Sequence, residues 1–178
     1  MPVTTRESEF TVLRSTISTR GTARPAIFVA SVLGWSVGAM VLLLFGDVPL
    51  ASAIPLLVLA AGFEAVHGLH VGVERIGRYL LVEYESDEPG PRWETSATAF
   101  GPSLPGGAVD PLFAVCFISC ALLNLMMVWV LESTAMEFLV LASLHAAFVV
   151  RVTRSRVAAG RQRRVEAERL VAARAARS

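Results

Sequence analysis

Lysine is absent from this chain. All sixteen basic residues are arginine, which reads as the codon habit of a GC-rich genome and not as chemistry. Charge of either sign is scarce: 17% of residues are charged, against about 25% in ordinary soluble domains. With 54% of the chain hydrophobic and gathered into long blocks, this excludes an ordinary soluble domain, because runs of about 18 or more apolar residues need lipid as solvent. Cysteine is scarce too. Cys116 and Cys120 both fall inside an apolar block, so no disulfide framework is expected. Their CxxxC spacing differs from that of a zinc knuckle and suits small packing residues better. No nucleophile elbow, phosphate-cradling glycine loop, HExxH pattern or internal repeat occurs. No catalytic residue is assigned, and an enzyme is not expected.

What is present is four apolar blocks, at about 25–45, 50–72, 111–131 and 136–152. At about 1.5 Å per residue each crosses or nearly crosses a hydrocarbon core of about 30 Å. The expected fold is all-α, an integral membrane protein with four transmembrane helices. Orientation follows from the arginines. Arg6, Arg14, Arg20 and Arg24 precede the first block, Arg75, Arg78 and Arg92 lie between the second and third, and nine follow from Arg151 onward. The connections "GDVPLAS" and "ESTAME" hold no basic residue. By the positive-inside rule both termini and the middle segment are cytoplasmic, and a bacterial plasma membrane is the expected location. The "LASA" ending at Ala53 resembles a signal-peptidase site, but the preceding apolar run is too long for a signal peptide and follows Glu7 and Glu9.

The expected organisation is a cytoplasmic segment 1–24, a transmembrane domain 25–152 whose second helix projects to about residue 85, a cytoplasmic loop 86–110, and a basic helical tail 153–178. Five of the nine prolines fall between Glu83 and Pro111, so a loop and no folded domain is expected there. Arg92 and Trp93 suit an interface anchor. The tail from Arg151 carries nine arginines against two glutamates. Arg161, Arg163, Arg164 and Arg169 are expected to contact anionic lipid headgroups, at about 1 kcal/mol for each basic residue near the surface. The tail lacks interleaved aromatics, so nucleic acid is not an expected partner. Ala30, Gly34 and Gly38, and again Gly68 and Gly72, recur every four residues and predict grooves for close helix approach.

One stripe interrupts the second block. Glu64, His67, His70, Glu74 and Arg78 share one face of a continuous helix, and Glu85 extends it. Beyond His70 this is a stalk leaving the membrane, with Glu74 and Arg78 an i,i+4 pair. Glu64 is different. It precedes Arg75 by eleven residues, about 16 Å along a straight helix, where a bare carboxylate costs on the order of 2.5–3.5 kcal/mol. It is expected to face the protein interior, paired with His67 or with His145 of the fourth helix. Asn124, on one face with Cys116, Ser119 and Cys120, completes a candidate intramembrane polar pocket of Glu64, His67, His70, His145 and Asn124.

Three functions follow as expectations. The first is a small scaffold or accessory subunit recruiting a protein partner, or further copies of itself, on the cytoplasmic face without a cofactor. The second is a redox protein holding a metal or haem through Glu64, His67, His70 and His145, since Glu-x-x-His is half of a bundle di-iron motif. The third is an oligomeric proton- or ion-coupled transporter with Glu64 as the coupling carboxylate.

Overall fold

The computed structural model describes residues 5–85, 93–100 and 111–176; the side chains of residues 97–100, 111, 163 and 164 fall outside that set. Of the described residues 95% are helical and none lies in a strand. Among the described residues, four helices are long and apolar enough to cross a membrane.

Helix α1, Thr5–Phe45, starts twenty residues before the apolar block. In its polar first half the hydroxyls are satisfied within the helix: Thr11 donates to the Glu7 carbonyl at 2.9 Å and Thr16 to that of Val12 at 2.8 Å. Pro25 lies inside α1 and removes the helical donor for the Gly21 carbonyl without ending the helix. A 3-10 turn, Pro49–Ser52, leads into α2, Ala53–Leu80, which a five-residue π-helical turn extends through Leu81–Glu85. The segment expected to be only loop contains a helix, α3, Trp93–Phe100. The Glu85 carboxylate explains it by accepting the backbone N–H groups of Glu94 at 2.9 Å and Thr95 at 2.8 Å, two of the donors a helix start leaves open. The remainder of 86–110, Arg92 included, lies outside the described residues, and Trp93 is exposed.

Helix α4, Pro111–Val130, ends before Glu132, which takes a left-handed φ of 53°. Helix α5, Ala135–Ala175, opens with a reciprocal cap: Thr134 N donates to Glu137 at 2.9 Å while Glu137 N donates to the Thr134 hydroxyl at 3.3 Å. It then runs unbroken through Gly160.

The chain divides into two compact units. An apolar unit comprises Pro25–His67 and Pro111–Arg156; a polar unit comprises Met1–Arg24, Gly68–Asp110 and Val157–Ser178. In the apolar unit the core is Leu56, Leu59, Phe63 and Val66 of α2, Ala114, Phe117, Cys120 and Ala121 of α4, and Phe148 and Val152 of α5. Phe63 meets Phe117 and Phe148 edge-on at 5.7 and 6.1 Å, a favoured aromatic geometry. On α1, Val29, Leu33, Val37, Met40, Val41 and Leu44 are exposed, a face suited to lipid.

The glycines sort differently from their spacing. Gly34 and Gly38 do lie against α2, where an added Cβ would meet Val58 at 3.3 Å and Pro55 at 3.5 Å. The tightest approach is at Gly62, where a Cβ would lie 2.0 Å from the Ser31 hydroxyl. Gly68 has nothing within 4 Å, and Gly72 faces only the end of the Arg20 side chain.

The polar unit has few buried apolar side chains, Leu80, Val82 and Ala159 among the described residues. Cross-links between elements hold it. Arg14 reaches Glu94 at 3.1 Å and Glu85 at 3.6 Å, Tyr79 donates to Glu9 at 3.0 Å, and Arg6 donates to the Glu83 carbonyl at 2.7 Å. Glu166 of α5 accepts from Arg78 at 2.5 Å and Arg75 at 3.1 Å, and Arg174 donates to the Val82 carbonyl.

Candidate functional site

Two clusters of polar groups in the apolar unit link different elements. In the first, His145 Nδ1 lies 2.7 Å from the carbonyl of Leu141, one turn earlier on α5. A carbonyl only accepts, so this partner assigns the proton to Nδ1 and leaves Nε2 an acceptor. Asn124 Nδ2 donates to that Nε2 at 3.0 Å and to the Ser52 carbonyl at 3.0 Å, and its Oδ1 accepts the Trp35 indole N–H at 3.2 Å. His145 and Asn124 are buried. The Asn124 carboxamide and both ring nitrogens of His145 are satisfied, while the buried Ser52 hydroxyl, whose carbonyl takes part, has no partner among the described residues; the network reads as a structural lock.

In the second site, Arg151 Nη2 donates to Glu64 Oε2 at 2.7 Å, and both side chains are about half exposed, 51% and 49%. The expectation that Glu64 pairs with His67 or His145 inside the protein is corrected here. A guanidinium beside a carboxylate makes the stronger, charge-assisted bond, and α5 brings Arg151 to the level of Glu64. Arg151 also donates to the Ser155 hydroxyl. His67 stacks on Phe63, with ring centroids 5.7 Å apart and planes 4° from parallel. Beside the pair lies a cleft of about 340 Å³ lined by Ala53, Leu56, Leu57, Ala60, Leu144, Ala147 and Phe148, with Glu64 and Arg151 at its polar end.

His70 belongs to the polar unit. Arg24 donates to its Nδ1 at 2.9 Å, and its Nε2 lies 3.3 Å from Glu74, which also meets Arg78 at 3.7 Å. The five pocket candidates are therefore split: Asn124 and His145 come together, while Glu64, His67 and His70 lie apart from them with other partners. Among the described residues no three His, Cys, Asp or Glu side chains group to hold a metal ion. The expected metal set of Glu64, His67, His70 and His145 does not assemble, because His145 has both ring nitrogens committed to Leu141 and Asn124.

In the polar unit, burial pushes the Glu94 carboxyl above its ordinary range; Arg14 opposes this and Glu85 adds to it. Glu166 goes the other way. Burial alone would raise it, but hydrogen bonds from Arg78, Gln162 and Arg75 outweigh that and hold it below the ordinary value. Of the expected headgroup contacts, Arg161 and Arg169 are exposed; the side chains of Arg163 and Arg164 lie outside the described set.

Sequence reasoning missed Glu166, Ser52, Trp35 and the pairing role of Arg151. One signal was available: Glu166 and Glu168 are the only acids in the arginine-rich tail, and an acid in a basic run marks a face that can pack against arginines elsewhere. No family model, curated protein or solved structure matches the chain.

Proposed function

We propose that the chain is a small multi-pass protein of a bacterial plasma membrane, a scaffold or accessory subunit with both termini and the segment after α2 in the cytoplasm. Its polar unit is the recruiting surface. The observation that carries this reading is the cross-linking of the polar unit: the starts of α1 and α3, the end of α2 and the tail of α5 are joined by Arg14, Arg75, Arg78 and Arg174. A unit fastened by such pairs offers an ordered surface, not a set of loose tails. The partition of the arginines supports the orientation, and exposed Arg161 and Arg169 suit anionic headgroups.

Reporter fusions at Asp47 and Ser133 test the orientation by reporting outside, with a fusion at Ser178 reporting inside. Photocrosslinkers placed at Arg161, Arg169 and Trp93 in cells test recruitment. A protein adduct specific to position is the expected result; adducts to lipid alone at all three positions rule out the scaffold.

A further inference from the structure

The Glu64–Arg151 pair closes one end of an apolar cleft, yet half of each side chain stays uncovered by protein. We propose that this cleft is a binding site for one zwitterionic phospholipid bearing a primary ammonium, of the phosphatidylethanolamine type, with an acyl chain along α2 and α5 and its headgroup on the ion pair. The inference rests on the reading of the four long helices as membrane-embedded.

Charge complementarity selects the headgroup. Of the five N–H donors of a guanidinium, Arg151 gives one to Glu64 and one to Ser155, so others remain for a phosphodiester. Glu64 uses Oε2 for Arg151, and its second oxygen can accept from an ammonium. A head with both charges fits both residues without separating them. The pair is neutral as a whole, so a purely anionic head gains at Arg151 and is repelled at Glu64. A trimethylated ammonium has the charge but no N–H to donate to the carboxylate.

The cleft fits the rest of the molecule. Its lining from Ala53 to Glu64 spans eleven residues of helix, about 16 Å, the length of much of one acyl chain. Ala53, Ala60 and Ala147 keep it open, and Leu56, Leu57, Leu144 and Phe148 make its walls apolar. The head end is the end where α2 and α5 carry their charged residues.

The test uses the full chain. Membranes containing it are first washed with alkali; release of the chain sinks the membrane reading together with this inference. Protein that stays is purified in detergent, offered phosphatidylethanolamine, phosphatidylcholine or phosphatidylglycerol, and examined by native mass spectrometry. One phosphatidylethanolamine per chain, held in preference to the other two, is the expected result. Glu64→Gln and Arg151→Gln each lower that occupancy roughly tenfold, as loss of a charge-assisted hydrogen bond implies. Ala147→Phe fills the cleft, leaves both charged residues in place, and abolishes occupancy, which keeps the proposal testable where a charge variant fails to fold. Equal binding of phosphatidylcholine overturns the proposal. So does phosphatidylglycerol binding that Arg151→Gln leaves unchanged, which assigns the lipid to the basic tail. A dimer mass without lipid, broken by Ala147→Phe, overturns it in favour of a second copy as occupant.

Discussion

Asn124 donates to Nε2 of His145 across 3.0 Å in the buried centre of the apolar unit. Through its remaining amide atoms Asn124 also holds Trp35 and Ser52. One carboxamide thus ties α1, the turn before α2, and α5 to α4. Asn124→Leu keeps the bulk and removes all three bonds. An interhelical hydrogen bond in a membrane protein averages about 0.6 kcal/mol, and a buried group left unpaired costs about 1–3 kcal/mol. A loss of about 2 kcal/mol or more is expected in a reversible detergent-unfolding curve. An unchanged midpoint would mean the network carries no stability.

Gly62 and Gly68 offer an internal control. Gly62→Ala places a methyl group 2.0 Å from the Ser31 hydroxyl, and overpacking of this kind costs about 1–3 kcal/mol. Gly68→Ala meets nothing within 4 Å and gains up to about 1 kcal/mol of helix propensity. The two substitutions should shift thermal unfolding in opposite directions, with Ser31→Gly relieving the first. Equal effects at both positions would contradict the close approach of α1 and α2.

Glu85 acts on α3 from outside it. Glu85→Ala removes the acceptor for the Glu94 and Thr95 N–H groups and for the Thr95 hydroxyl. Loss of a helix cap costs about 1 kcal/mol. Amide exchange at Glu94 and Thr95 should quicken several-fold, while amides in α4 keep their rates. Unchanged exchange at Glu94 would place the order of α3 elsewhere.

Glu166 sets an acid limit for the polar unit. Its carboxyl titrates below the ordinary value of 4.5, so its contribution to stability is fully present above that value and lost as pH falls through the lower, folded one. Unfolding should become easier below about pH 4.5 in the native chain. Glu166→Gln should be less stable at neutral pH and should lose part of this acid dependence. A variant with the full acid dependence intact would assign the effect to other carboxyls.

The four apolar blocks were legible because lipid solubility is written in local composition, and 25–45 and 111–131 need no partner to be recognised. The Glu74–Arg78 pair was legible for the same reason, since i,i+4 geometry is local. The partner of Glu64 was not. A periodicity argument ranks residues on one helix, and His67 lies on the same face, but Arg151 is 87 residues away, and its closeness depends on how α5 docks. Helical order in 5–24 was hidden by serines and threonines, whose weak helix preference is outweighed here by the contacts of Arg6, Glu9 and Arg14 with other elements. Helix α3 was hidden among prolines and glycines because its cap comes from Glu85, outside the helix itself. Gly62 has no small residue four positions away to mark it, whereas Gly68 and Gly72 carry that spacing where α2 meets little.

The Asn124 lock also imposes an order of events on the growing chain. Trp35 and Ser52 emerge 89 and 72 residues before Asn124, while His145 emerges 21 residues after it. At roughly 5–20 residues per second, Asn124 emerges about one to four seconds before His145 does. During that interval its carboxamide can reach the indole and the carbonyl already made, but not the imidazole. Helix α4 is thus recruited first by the earlier helices, and α5 closes an assembly that is already waiting for it.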